Sequence, residues 1–108
     1  VVYAVQALLK FGGASARDQV QTDLTTFTAA NAKWGIERID ARDHEGAPSL
    51  VVELRFEAQA NQTALTNRLD QQLKGQKLPL AGSYVRWHNC PHDETPPTPC
   101  VNAGEQTW

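Results

Sequence analysis

The stretch from Leu50 to Ala58 constrains the fold more than any other part of the chain. Leu50, Val52, Leu54, Phe56 and Ala58 alternate with Val51, Glu53, Arg55 and Glu57. A period of two places one set on each side of an extended backbone, so this segment reads as a strand whose apolar face is buried beneath helices.

A second run of this kind opens the chain, where Val1, Tyr3, Val5, Ala7 and Leu9 interleave with Val2, Ala4, Gln6, Leu8 and Lys10. Phe11, Gly12, Gly13 and Ala14 break it. Ser15, with Asp18 three positions on, has the form of a helix N-cap with an acidic partner. Val20, Leu24, Phe27 and Trp34 then make one apolar stripe, interrupted at Asn31 and stopped at Gly35. Residues 36–42, with Ile36 and Ile39 among charges, suit an edge strand, and 43–48 a turn-rich connection. Asn61 is placed to cap a second helix carrying Leu65, Leu69 and Leu73 up to Gly75. Residues 83–88 alternate again as a last strand, and Trp34 and Trp87 are expected in the core.

The resulting order is strand, helix, strand, strand, helix, strand. It predicts an α+β fold of the ferredoxin-like βαββαβ kind, a four-stranded antiparallel sheet in the spatial order 4, 1, 3, 2 with two helices on one face. A length of 108 residues allows one such domain. Residues 1–88 form its body. Residues 89–108, rich in proline and without lysine or arginine, read as a tail laid over the surface of the same domain.

Ten Lys and Arg against twelve Asp and Glu give a net charge of −2, so the positive excess that a phosphate backbone attracts is missing and nucleic acid is not an expected partner. An RNA-binding sheet of this topology would also carry aromatics on the open face of its central strands. Val2, Ala4, Gln6, Leu8, Val51, Glu53, Arg55 and Glu57 supply none. The apolar start is too short to span a bilayer, so no transmembrane segment is expected. The absence of Met and the pair of cysteines point to a matured or excised chain that is secreted, periplasmic or on the cell surface.

Cys90 and Cys100 are read first as a disulfide closing a short, proline-stiffened loop. The competing reading is a metal site, with zinc as its cofactor, built from His88, Cys90, His92 and Cys100, whose imidazole and thiolate donors suit a tetrahedral ion. The hairpin carrying His44 is expected at the same end of the sheet as His88 and His92. A Cys90–His88 nucleophile would need a free thiol, and no Gly-x-Ser-x-Gly or phosphate-loop pattern is present, so no catalytic residue is assigned. Asn61-Gln62-Thr63 matches a glycosylation acceptor, but the capping role of Asn61 explains it better.

On the open face, Val2, Leu8 and Val51 form an apolar strip beside Arg55, Tyr84 and Arg86, a surface suited to a protein partner or a second copy of the chain. The functional expectation is therefore a non-enzymatic, exported interaction module using its open sheet face or its histidine-rich end. The alternative is a metal-binding protein or small enzyme with a site at His44, His88, Cys90 and His92.

Overall fold

The computed structural model describes residues 1–35, 37–75, 80–90 and 101–108, with the backbone alone at 72, 73 and 75. Its elements are β1 (Val2–Lys10), α1 (Ala14–Ala30), β2 (Glu37–His44), β3 (Ala47–Phe56), α2 (Gln59–Gly75), β4 (Tyr84–Cys90) and β5 (Val101–Thr107). The strands form one antiparallel sheet in the order β2-β3-β1-β4-β5. The fold is α+β, with two helices on a five-stranded sheet, and the expectation of four strands is corrected to five. No described helix is long and apolar enough to cross a membrane.

The alternation of β3 determines the core. Leu50, Val52, Leu54 and Phe56 are fully buried with Val5, Ala7 and Leu9 of β1, and Val20 and Leu24 of α1 and Leu65 and Leu69 of α2 pack onto them. Removing each large side chain from water contributes about 1.5–3 kcal/mol, so this shared face dominates the stability. Phe27 meets Phe56 edge to face, ring centroids 6.5 Å apart. Arg68 Nε of α2 donates to Asp23 of α1 at 2.7 Å and joins the two helices on that side of the sheet. Val1, expected in the core, is 59% exposed because it precedes the first ladder pair. The Leu73 side chain lies outside the described residues, and Trp34 and Trp87 are half-buried.

Both expected caps are corrected. Gly13, in extended backbone, precedes α1 without any side-chain cap, and Ser15 lies inside the helix. Asp18 bonds to Arg17 instead. The helix ends at Ala30, well before Gly35, because the Asn31 side-chain amide donates to the Phe27 carbonyl at 2.8 Å while Asn31 itself turns extended. A carbonyl satisfied this way needs no further helical turn. α2 begins at Gln59, so Asn61 sits within its first turn and does not cap it.

Residues 43–48 are almost wholly strand. β2 runs to His44, Glu45 and Gly46 turn with φ of 55° and 81°, and β3 starts at Ala47. Two positive φ values in a two-residue loop make a type I′ hairpin, whose twist matches that of the strands. Pro48 lies just past the last β1–β3 ladder pair, Lys10 and Ser49, where it gives no N–H but its carbonyl accepts from the Phe11 N–H at 2.8 Å.

The segment expected as a tail supplies β5, hydrogen-bonded to the outer side of β4. Val101, Asn102, Ala103, Gly104, Glu105, Gln106 and Thr107 show no apolar alternation, so nothing in their pattern announces a strand. Trp87 stands opposite Gly104, and a Cβ at that glycine would lie 2.3 Å from the indole. The missing side chain is what lets the ring lie across β5.

Candidate functional site

Pairing across the sheet arranges the open face into rows. Asp40, Val51, Leu8, Tyr84 and Thr107 stand opposite one another in sequence across the five strands, and the next row is Arg38, Glu53, Gln6, Arg86 and Glu105. Leu8, Val51 and Tyr84 are half-buried, as are Arg55 and Arg86. Val2, expected as part of an exposed strip, is fully buried opposite Cys90. The apolar strip is thus shorter than expected. A hollow of ≈ 220 Å³ beside it is lined by Ala4, Gln6, Glu53, Arg55, His88 and Cys90.

Ion pairs run along this face. Arg38 Nε donates to Asp40 at 2.6 Å and faces Glu53 at 3.5 Å, while Arg42 reaches Asp40 at 3.5 Å. On the far side, Arg86 Nε donates to Glu105 at 2.7 Å with its guanidinium 4.2 Å from the Tyr84 ring centre. The hydrogen bond from Arg38, aided by the charges of Arg38 and Arg42, holds the Asp40 carboxyl below its ordinary range, and the bond to Glu105 raises Arg86. The charges are used up among themselves, so the face is a mixed, self-neutralised surface.

The histidines do not gather. His44 stands opposite Ala47 at one end of β3, whereas His88 stands opposite Ala4, which pairs with Arg55 near the other end. Eight residues of β3 separate these positions, roughly 27 Å at the rise of a strand. The expectation of a shared end assumed that β1 and β3 run the same way; they are antiparallel, which sends the β2–β3 hairpin and the exit of β4 to opposite ends. His92 and Cys100 lie outside the described residues. Among the described residues no three His, Cys, Asp or Glu side chains cluster as metal ligands. Cys90 is buried at the end of β4 and is not a free cysteine.

Behind His88, the Gln62 side-chain amide of α2 is buried and donates to the carbonyls of Ala4 at 3.1 Å and His88 at 3.0 Å. It ties the helix to β1 and β4 and fixes the backbone under the hollow. Gln62 drew notice in the sequence only as the middle of a glycosylation pattern. A glutamine at the position of a helix that faces a sheet is the signal that could have found it, because a buried amide must be matched by backbone partners.

The two edges of the sheet differ sharply. β2 carries ionisable side chains at Glu37, Arg38, Asp40, Arg42, Asp43 and His44, six of its eight residues. β5 carries one, Glu105, among its seven. Val101, Asn102, Ala103 and Thr107 are exposed along it, Val101 at 68%. Charged edges repel an incoming strand, whereas a neutral edge leaves its backbone groups open to one. The chain matches no family model, no curated protein and no solved structure.

Proposed function

We propose that this chain is a non-enzymatic interaction module of an exported protein, and that it self-associates by antiparallel pairing of two β5 edges. The observation that carries the reading is the contrast between a β2 edge with six ionisable side chains and a β5 edge with one. Pairing about Gly104 sets neutral residues against neutral residues. The single charge, Glu105, is already held by Arg86. Strand addition of this kind takes its affinity from main-chain hydrogen bonds and its selectivity from the flanking side chains. The open face contributes little to the choice of partner, because its charges are satisfied internally and Val2 is covered. On this reading the first four strands and both helices are a ferredoxin-like unit, and β5 is an addition that replaces the β4 edge with one suited to pairing.

A Cys90–Cys100 disulfide belongs to the same proposal. Asn89 and Val101, the sequence neighbours of the two cysteines, stand opposite each other, and Cys90 is not a free cysteine. Such a bond would close the β4–β5 connection at its loop end and suits an oxidising, extracytoplasmic compartment. It would leave no thiolate for zinc. The expected intact mass is two hydrogens below that of the reduced chain, and two thiols released only by a chelator would overturn the pairing.

Sedimentation velocity from micromolar to millimolar concentration tests the association. A strand pair is a small interface, so a weak, concentration-dependent dimer is expected. Ala103→Lys, which charges the β5 edge, should weaken it by about tenfold, and Ala41→Lys on the β2 edge should leave it unchanged. A monomer throughout, or equal effects of the two substitutions, would reject the β5 edge as the interface.

A further inference from the structure

On the helix-covered side of the sheet, a cleft of ≈ 130 Å³ separates α2 from the β4–β5 pair. Its walls include Thr66, Asn67 and Asp70 of α2, Trp87 of β4, Gln106 of β5 and Trp108. We propose that this cleft binds a small organic cation, a methylated ammonium group held against Trp87 and Trp108 with Asp70 as its counter-ion.

The aromatic wall is built into the sheet. Trp87 lies across Gly104, where no side chain could stand. Trp108 donates its backbone N–H to the Ser83 carbonyl at 3.1 Å and accepts from the Gly82 N–H at 2.9 Å, so the last residue is pinned beside β4. Both indoles pack against the core yet stay half-exposed. Both indoles line the cleft, and a cation that reaches an indole face is drawn to the negative charge of the ring.

The polar wall follows from helix geometry. Thr66, Asn67 and Asp70 are spaced by three and four, so they share one face of α2. Asp70 Oδ1 is itself buried although its side chain is one-third exposed, and it meets the Lys74 ammonium at 3.1 Å in an ion pair. Lys74 is 61% exposed and reaches Asp70 from the outside, which shows that the carboxylate already accepts an ammonium at the rim. Bonds from Gln106 and Lys74 hold the Asp70 carboxyl below its ordinary range, so it carries its charge at neutral pH.

Size and wall chemistry select the cation. At ≈ 130 Å³ the cleft is smaller than the roughly 300–1,000 Å³ pockets that hold drug-sized ligands, so it suits a group as small as a nitrogen bearing methyls. A bare ammonium is strongly hydrated, and the Lys74 ammonium that meets Asp70 sits at the end of a largely exposed side chain. Methyl groups shed water at low cost and fill the space between the rings.

Titration with tetramethylammonium chloride and with choline, at ionic strength matched by sodium chloride, tests the site. The readouts are tryptophan fluorescence and the indole N–H signals of Trp87 and Trp108. Saturable changes confined to these two indoles are expected, and the neutral carbon isostere of choline, with tert-butyl in place of trimethylammonium, should bind at least about tenfold more weakly. Asp70→Asn, which keeps the side-chain shape, should weaken binding by a similar factor. Lys74→Gln removes the competing ammonium and should tighten it a few-fold, a gain that a damaged fold would not produce. Changes that follow sodium chloride alone, equal binding of the neutral isostere, or no tightening in Lys74→Gln would overturn the proposal.

Discussion

The two flanks of the sheet are built in different ways. β2 joins β3 through a two-residue turn, and the ladder runs without interruption from His44 and Ala47 to Glu37 and Leu54. β5 joins β4 from a distance in sequence, with a register shift between Trp87 and His88 that the Asn102 side chain patches by accepting the Gly104 N–H at 3.1 Å. The first flank is fastened by local geometry, since a type I′ turn dictates the pairing that follows it. The second depends on a few specific contacts: the indole of Trp87 over Gly104, the Arg86–Glu105 pair and the backbone bonds of Trp108. β5, whose side chains are mostly exposed, should open before the buried central strands.

The largest expected effect lies on the shared core that both flanks lean on. Leu54→Ala should cost about 2–5 kcal/mol, since the residue is fully buried between β1 and the helices. Denaturant unfolding would measure it, and a loss below about 1 kcal/mol would place β3 at the periphery.

Gly104→Ala sharpens the comparison itself. The added methyl meets the Trp87 ring at 2.3 Å, so the ring or the strand must shift, at about 1–3 kcal/mol. Amide exchange should then speed up along β5 and leave the β2–β3 amides protected. A uniform acceleration across the sheet would mean that the two flanks open together, and the contrast between them would fail.

The smallest effect concerns the hairpin turn. Lys10 Nζ donates to Glu45 Oε2 at 2.7 Å, and this bond, with the charges of Lys10 and His44, keeps the Glu45 carboxyl below its ordinary range. A carboxyl lowered on folding contributes stability that is present above the ordinary carboxylate range and is lost as pH falls through it to the lowered folded value. Titration of Glu45 by NMR should show a midpoint below that of a free glutamate, and Glu45→Gln should remove this part of the acid dependence. A midpoint at the ordinary value would mean that the turn is not tied to β1.

Much of the fold was legible because burial imposes periodicity. The alternation of Leu50, Val52, Leu54 and Phe56, and the spacings of Val20 with Leu24 and of Leu65 with Leu69, each mark a face that must leave water. The caps were misread because Ser15 and Asn61 have the right side chains but stand inside helices whose ends are determined elsewhere, at Gly13 and Gln59. The candidate surfaces were harder to see. Val2 and Val51 have the same character in sequence, yet one is covered and the other half-exposed. The separation of His44 from His88 follows from the antiparallel β1–β3 pairing, which the expected order 4, 1, 3, 2 of an antiparallel sheet already implies.

Sequence by itself determined the α+β class, the central strands and the side of each that is buried, because a half-buried element writes its own period into the chain. Tertiary structure alone decided that 101–107 is a strand, that its edge is the less charged of the two, and that Asp70, Trp87 and Trp108 line one cleft. The physical reason is that β5 is held by the backbone of β4 and by the absence of a side chain at Gly104. Backbone groups are the same in every residue, so a strand that pairs through them and buries little of its own surface leaves no pattern to read.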